Sequence, residues 1–148
     1  MQLSRFTDLS LRVLLYLAQK PPGHPRVTMR EIARFYRVSH DHLRKVVHRL
    51  ATEGYLATTQ GRHGGLRLGR SASAINIGEV VECMERDLTI VDCAAQRCVL
   101  KGPCTLKHAL SIASAAFVAE LRRVTLTDLV ADRTFALRFV TLRLAQAA

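Results

Sequence analysis

Two short helical patterns joined by a tight turn, and followed at once by a glycine-rich hairpin, constrain the fold of this 148-residue chain most strongly. The first helix is predicted over 28–37, because Thr28 and Glu31 have the spacing of a capping box. The second is predicted over about 40–53, where apolar residues recur at helical spacing behind Ser39, a residue type that caps helices. Such a pair is typical of a helix-turn-helix.

The hairpin begins directly after the second helix. Residues 55–59 resemble a strand, 60–65 are rich in glycine, and 66–68 return as a second strand. A hairpin in this place is a wing, so we expect a mainly α-helical fold: a winged helix-turn-helix with a small two-stranded wing. The alternative is an ordinary surface hairpin.

Further helices are predicted on both sides of this motif. One spans 6–19, another spans 73–85 with Ser73 as its cap, a long one spans 105–123, and a short one begins at Thr125. The long helix combines an apolar stripe with many small residues. We therefore expect a dimerisation helix, rather than one that packs only on its own domain.

The chain is accordingly divided into three parts. Residues 1–72 form the predicted winged helix-turn-helix domain, 73–104 form a connecting helix and a cysteine-rich loop, and 105–148 form the dimerisation helix and a C-terminal helix. Hydrophobic residues make up 49% of the sequence, which is enough for a packed core and excludes general disorder.

Positive charge is concentrated in the first half of the chain. Residues 1–70 hold 13 Lys and Arg against 4 Asp and Glu, whereas 71–148 hold 9 against 8. This asymmetry points to a polyanion as partner, although a solvated basic face is the alternative. We expect double-stranded DNA to be contacted by the second helix of the motif and by the tip of the wing, through Ser39, His40, His42, Arg44, Lys45, Arg62 and His63.

No segment has the ~20 consecutive apolar residues that a membrane span requires. Residues 1–12 carry Arg5, Asp8 and Arg12, so they lack the apolar centre of a signal peptide. We therefore expect a cytoplasmic protein. The four cysteines of such a protein argue against a disulfide framework.

Three of the cysteines, Cys93, Cys98 and Cys104, lie close together in a segment that is predicted to be a loop. Thiolates are soft ligands that select zinc or iron–sulfur clusters, and three of them are one short of the usual four. An incomplete set leaves one iron open to a small molecule, which suits a sensor. Cys83 lies on a predicted helix and is given no role.

Three alternatives stay open from the residues alone. His108, one turn after Cys104, would complete a structural zinc site. The same cysteines would also serve a thiol–disulfide sensor without metal. An enzyme or electron-transfer protein is the third, but the sequence shows no substrate pocket motif and no second cluster motif, so we do not expect an enzyme.

With these motifs in this order, the chain resembles a known family, the winged-helix iron–sulfur regulators that include IscR. Within this family it is similar to the nitric-oxide-sensing repressors of the NsrR type. Besides the three cysteines, the matching stretches are MQLSRFTDLSLR, VSHDHLRKVVHRL, GRHGGLRLGR, INIGEVV and TLTDLV. The resemblance covers nearly the whole chain.

The resemblance implies a homodimer that represses transcription by binding palindromic operator DNA while its iron–sulfur cluster is intact. Nitric oxide then attacks the cluster and releases the DNA, and the regulated genes serve nitric oxide detoxification. Cys93, Cys98 and Cys104 would hold a [4Fe–4S] cluster, or a [2Fe–2S] cluster. Asp8 of the partner chain would complete the ligands, although a first-turn acid that is favoured by the helix dipole is the alternative reading of Asp8.

Three positions depart from the family pattern. Gln60 stands where the wing often carries Arg, with Arg62 two residues on. IscR-type members place a His ligand three residues after the last cysteine, but that position, 107, is Lys here, and His108 is one residue further. Arg44 replaces an acid of the IscR-type recognition helix. These departures favour the nitric-oxide branch and a different base preference.

Overall fold

A computed structural model describes residues 2–20, 26–59, 61, 64–95, 98–99 and 102–147. Within these residues the chain forms seven α-helices, one 3₁₀ helix at Ala72–Ala74 and one two-stranded antiparallel sheet. In chain order the helices and strands are α1 (Arg5–Ala18), α2 (Met29–Tyr36), α3 (His40–Thr52), β1 (Leu56–Thr59), β2 (Gly65–Leu68), α4 (Ile77–Met84), α5 (Thr105–Leu121), α6 (Leu126–Ala131) and α7 (Arg133–Ala147). The predicted winged helix-turn-helix is confirmed.

The helix-turn-helix begins and ends where capping chemistry places it. The hydroxyl of Thr28 accepts a hydrogen bond from the backbone N–H of Glu31, and that of Ser39 accepts one from His42. Arg37 lies between α2 and α3 with a φ of 52°, the left-handed conformation that turns the chain sharply. Gly54 ends α3 with a φ of 74°. The two caps therefore fix the angle at which α3 leaves α2.

The wing lies next to α2 through a third extended segment. β1 pairs with β2 from Leu56 opposite Leu68 to Thr59 opposite Gly65. Val27, just before α2, bridges to Leu66 on the other side of β2. A Cβ atom on Gly65 would lie 2.7 Å from the Cβ of Arg26, so glycine permits this close approach. The wing is thus held against the start of α2.

One hydrophobic core joins both halves of the chain. Its completely buried members include Leu14 of α1, Ile32 of α2, Leu50 of α3, Leu126 of α6, and Ile75 just before α4. The C-terminal helix returns to this core, because the ring of Phe139 lies 5.4 Å from that of Tyr16 and 4.8 Å from that of Phe35. The three-part domain division stays a prediction.

The prediction of one helix over 73–85 capped by Ser73 is wrong. The 3₁₀ helix is followed by an extended Ile75, and α4 begins at Ile77 with Asn76 as its cap. The reason is long-range pairing. Leu126 donates its N–H to the carbonyl of Ile75 at 2.9 Å, and Asn76 forms a β-bridge with Thr125. These partners lie about fifty residues away, so no local pattern marks the break.

α5 packs on α4 along one edge and exposes the rest of its surface. Arg122, just after α5, donates to the carboxylate of Glu82 at 2.7 Å. Gly78 of α4 lies under the backbone of Arg122, where a Cβ atom would come within 2.7 Å of the Arg122 nitrogen. Among the described residues, no helix is long and apolar enough to cross a membrane.

Candidate functional site

α3 presents a polar, basic face opposite its buried one. Leu43, Val46, Val47 and Leu50 are buried, whereas Ser39, His40, Arg44 and Lys45 are exposed and His42 is half-buried. The structure therefore places these five residues on one element, at and just after its N-terminus. Arg62 and His63, predicted at the tip of the wing, lie outside the described residues.

Near the C-terminus of α3, an exposed arginine binds groups of the protein itself. Arg49 pairs with Glu53 at 3.1 Å and donates to the backbone carbonyl of Cys83 at 3.4 Å. Arg70 donates to the carbonyls of Glu53 and Gly54. These arginines therefore connect α3 to α4 and to the end of the wing. Their positive charge alone would have suggested contacts to nucleic acid.

A groove of about 480 Å³ runs between α3 and the wing. Arg44 and His48 of α3 lie on one side of it, and Thr58 and Thr59 of β1 on the other. His48 is not among the DNA contacts expected from the sequence, although it lines this groove together with Arg44. Its position four residues after Arg44 was the signal, because side chains at that spacing share a helix face.

In the segment with the three clustered cysteines, hydrogen bonds connect several of the described residues. Asp92 accepts from the N–H groups of Ala94 and Ala95 at 3.0 and 2.9 Å. Cys98 then donates its N–H to the carbonyl of Cys93 at 3.2 Å. Cys104 is the residue that precedes α5 and occupies its N-cap position. All three are half-buried free thiols.

The chemistry of three soft thiols fits an iron–sulfur cluster. The hydrogen bond between Cys98 and Cys93 brings the main chains of these two residues together. The amide groups at the N-terminus of α5 attract negative charge next to Cys104, which suits a ligand that binds iron as an anion. Among the described residues, no group of three or more His, Cys, Asp or Glu is placed to hold a metal ion.

Asp8 lies apart from this loop on the first turn of α1. Its carboxylate pairs with Arg12, one turn on, at 3.0 Å, and both side chains are half-exposed. The backbone N–H of Ser4, the cap of α1, donates to Glu85 just after α4. The start of α1 is therefore held next to Glu85, from which the chain continues to the cysteine loop. The Asp8 side chain is half-exposed.

The surroundings of Cys83 favour its neutral thiol form. Burial, and after it the neighbouring carboxylate of Glu53, raise the pKa of the Cys83 thiol. A raised pKa keeps the thiol protonated, and the thiolate is the form that binds metals.

Comparison with known proteins decides the family. Residues 3–132 match Rrf2, which is described as an iron-dependent transcriptional regulator. The chain belongs to the Rrf2 family. The resemblance predicted from the sequence motifs is confirmed, and so is the expectation that the protein is not an enzyme but a DNA-binding transcriptional regulator.

Relatives support this assignment across nearly the whole chain. The HTH-type transcriptional regulator NsrR of Bacillus subtilis is 45% identical over 136 residues, which are 90% of this chain and 92% of that protein. The structure of CymR, the global cysteine regulator of B. subtilis, matches with a TM-score of 0.71 and 26% identity over 88% of this chain and 97% of that one. That of T. potens IscR matches with a TM-score of 0.72 and 20% identity over 89% and 88%.

Proposed function

We propose that this Rrf2 protein is a homodimeric transcription repressor that binds palindromic operator DNA and senses nitric oxide through an iron–sulfur cluster. The observation that carries the proposal is the presence of three free thiols in the segment ahead of α5, in a chain 45% identical to a regulator named NsrR. The genes of nitric oxide detoxification are the expected targets, and the cytoplasm is the expected compartment.

The DNA-contacting residues would be Ser39, His40, His42, Arg44 and Lys45 of α3, with Arg62 and His63 of the wing. Arg and His donate to phosphates and to the edges of bases in the major groove. In the described part of this set, four residues are exposed and His42 is half-buried. The basic balance of residues 1–70 supplies the sequence-independent part of the affinity.

The cluster ligands would be Cys93, Cys98 and Cys104, with a [4Fe–4S] cluster favoured over a [2Fe–2S] cluster. When bound, the cluster supplies iron that reacts with nitric oxide. Asp8 of the partner chain would be the fourth ligand, which requires it to exchange its ion pair with Arg12 for the iron. Because an oxygen ligand would bind iron more weakly than thiolate does, the iron held by Asp8 would be the one more open to nitric oxide.

The dimer would form through α5. In the single chain Leu106 is 66% exposed and Ile112 is 57% exposed, and small residues between them permit close helix approach. An exposed apolar helix face of this length favours a subunit interface. Dimerisation would also bring α1 of one chain to the cysteine loop of the other.

Coupling between the cluster and the DNA would pass through α4. Arg49 of α3 donates to Cys83 at the end of α4, and the chain continues from there to the cysteine loop. A rearrangement of the loop would therefore move the segment that supports α3. In a dimer, this would alter the spacing of the two α3 helices and hence the fit to the operator.

The ligand assignment is tested by anaerobic purification with iron and sulfide analysis. We expect the wild type to carry iron, inorganic sulfide and a visible absorption band, and Cys98→Ser to lose all three. Cys83→Ser is the matched control and should retain them, because Cys83 lies outside the loop. One zinc per chain, with no sulfide and no visible band, would contradict the proposal in favour of a structural zinc site.

The role of Asp8 is tested with a mixed dimer. One chain carries Asp8→Asn, and the other carries Ser at all three cluster cysteines, so the single set of cysteines faces the intact Asp8 of its partner. We expect this dimer to keep its absorption under oxygen longer than the Asp8→Asn homodimer. Equal decay rates in the two would show that Asp8 does not act across the dimer.

A further inference from the structure

α2 carries a row of three arginines on the face that lies opposite the protein core. Arg30, Arg34 and Arg37 are exposed, whereas Ile32 on the other side of the helix is completely buried. Residues three and four apart are neighbours on a helix surface, so the three arginines share one face. The row extends over about 10 Å along the axis of α2. These three residues are called the α2 arginine row.

The α2 arginine row has no partner within the described part of the chain. None of its side chains forms a hydrogen bond or an ion pair there. The acid of α2 itself, Glu31, accepts from Tyr16 and Lys20 at 2.6 and 2.7 Å. By contrast, Arg49 of α3 pairs with Glu53. The row therefore makes no polar contact that stabilises the fold, and its charge is directed to the surroundings.

The row ends where the proposed DNA-contacting face of α3 begins. Arg37 forms the turn between the two helices, and Ser39, two residues on, is the cap of α3. Ser39 and His40 are exposed, as the row is. Asp41, in the first turn of α3, is exposed but forms no ion pair with Arg37. The basic surface of α3 is therefore continuous with that of α2.

We propose that the α2 arginine row binds phosphates of the DNA backbone beside the major groove that α3 enters. The inference rests on the proposed DNA-binding function and adds three contact residues to those predicted from the sequence. In helix-turn-helix proteins the second helix lies in the major groove, whereas the first helix crosses the backbone. Guanidinium groups bind phosphate oxygens through paired hydrogen bonds. Phosphates are the same at every base pair, so the row positions α3 without reading the sequence.

The salt dependence of DNA affinity tests this assignment. The anaerobically purified full-length protein is titrated, over a range of salt concentrations, with a duplex that the wild type selects from a random pool. Each phosphate that a cation neutralises adds about 0.9 to the slope of log affinity against log salt. We expect Arg34→Gln to reduce this slope by up to about 0.9, and replacement of the whole row by Gln to reduce it by up to about 2.7.

Two control variants separate a phosphate contact from net charge and from folding. Arg123→Gln removes one charge from an exposed position after α5, where the ion pair with Glu120 is 3.5 Å long, and should leave the slope unchanged. Replacement of the whole row by Lys keeps the three charges, so we expect a slope close to that of the wild type. All variants should unfold at the wild-type temperature, because the row has no partner in the fold.

A wild-type slope for the variant with Gln throughout the row overturns the assignment and leaves an acidic protein surface as the kind of partner that the row fits. An equal reduction by Arg123→Gln and Arg34→Gln overturns it as well, since net charge alone would then explain the effect. If the wild type selects and binds no duplex, the proposed DNA-binding function itself is wrong, so the two failures are distinguishable.

Discussion

Single side chains that accept from backbone N–H groups decide where the helices of this protein begin. Thr28, Ser39 and Asn76 each accept from the backbone N–H three residues on. The first two were predictable, because a hydroxyl before an apolar run is a local signal. Ser73 has the same local signal but does not cap an α-helix, since Ile75 is held extended by α6.

The cap of α6 makes a pH-dependent contribution to stability. The Thr125 hydroxyl and backbone N–H both donate to Asp128, and these hydrogen bonds lower the pKa of its carboxyl from 3.8. A lowered folded-state pKa stabilises the protein above the ordinary value, and this stabilisation is lost as the pH falls through the folded-state pKa. Asp128→Asn should therefore lower the free energy of unfolding at neutral pH, with the deficit shrinking below about pH 4.

Urea unfolding at a series of pH values measures this effect. Glu120→Gln is the control, because Glu120 is an exposed carboxylate whose ion pair with Arg123 is 3.5 Å long. A deficit for Asp128→Asn that stayed constant from neutral to acid pH would show that the charge of Asp128 is not what caps α6.

At the scale of elements, α7 belongs with the helix-turn-helix although it comes last in the chain. Phe139 is only 6% exposed and packs on the rings of Tyr16 in α1 and Phe35 in α2. The family match ends at residue 132, so this helix lies beyond it. The sequence predicts a C-terminal helix but not where it packs, because the ring partners of Phe139 are more than a hundred residues away.

Removing the Phe139 ring should destabilise the whole protein. Phe→Ala substitutions in cores cost about 3–5 kcal/mol, because they lose buried area and leave a cavity. We expect Phe139→Ala to lower the free energy of unfolding by about 3 kcal/mol. Leu137→Ala is the matched control on the same helix, since Leu137 is 69% exposed, and its effect should stay within about 0.5 kcal/mol. Similar small effects for both variants in chemical unfolding would contradict this packing of α7.

At the scale of the whole molecule, local patterns predicted the winged helix-turn-helix well and the half that contains the cysteine loop only in part. α2, α3 and the wing were predictable because their signals are local: the capping residues, the apolar residues at helical spacing and the glycines of the wing are close together in sequence. The cysteine spacing predicts a ligand set, and this stays a prediction. The proposed site would be completed by a partner chain and a bound cluster, neither of which a local pattern encodes.

The proposed function requires that the state of the cysteine loop control the binding of DNA. The most direct measurement is the affinity for a duplex that the anaerobically purified protein selects from a random pool, taken at one salt concentration before and after nitric oxide. We predict tight binding by the cluster-loaded protein, loss of that binding on nitric oxide treatment, and weak binding by Cys98→Ser throughout. Equal affinity for the cluster-loaded, cluster-free and nitric-oxide-treated protein would contradict the account.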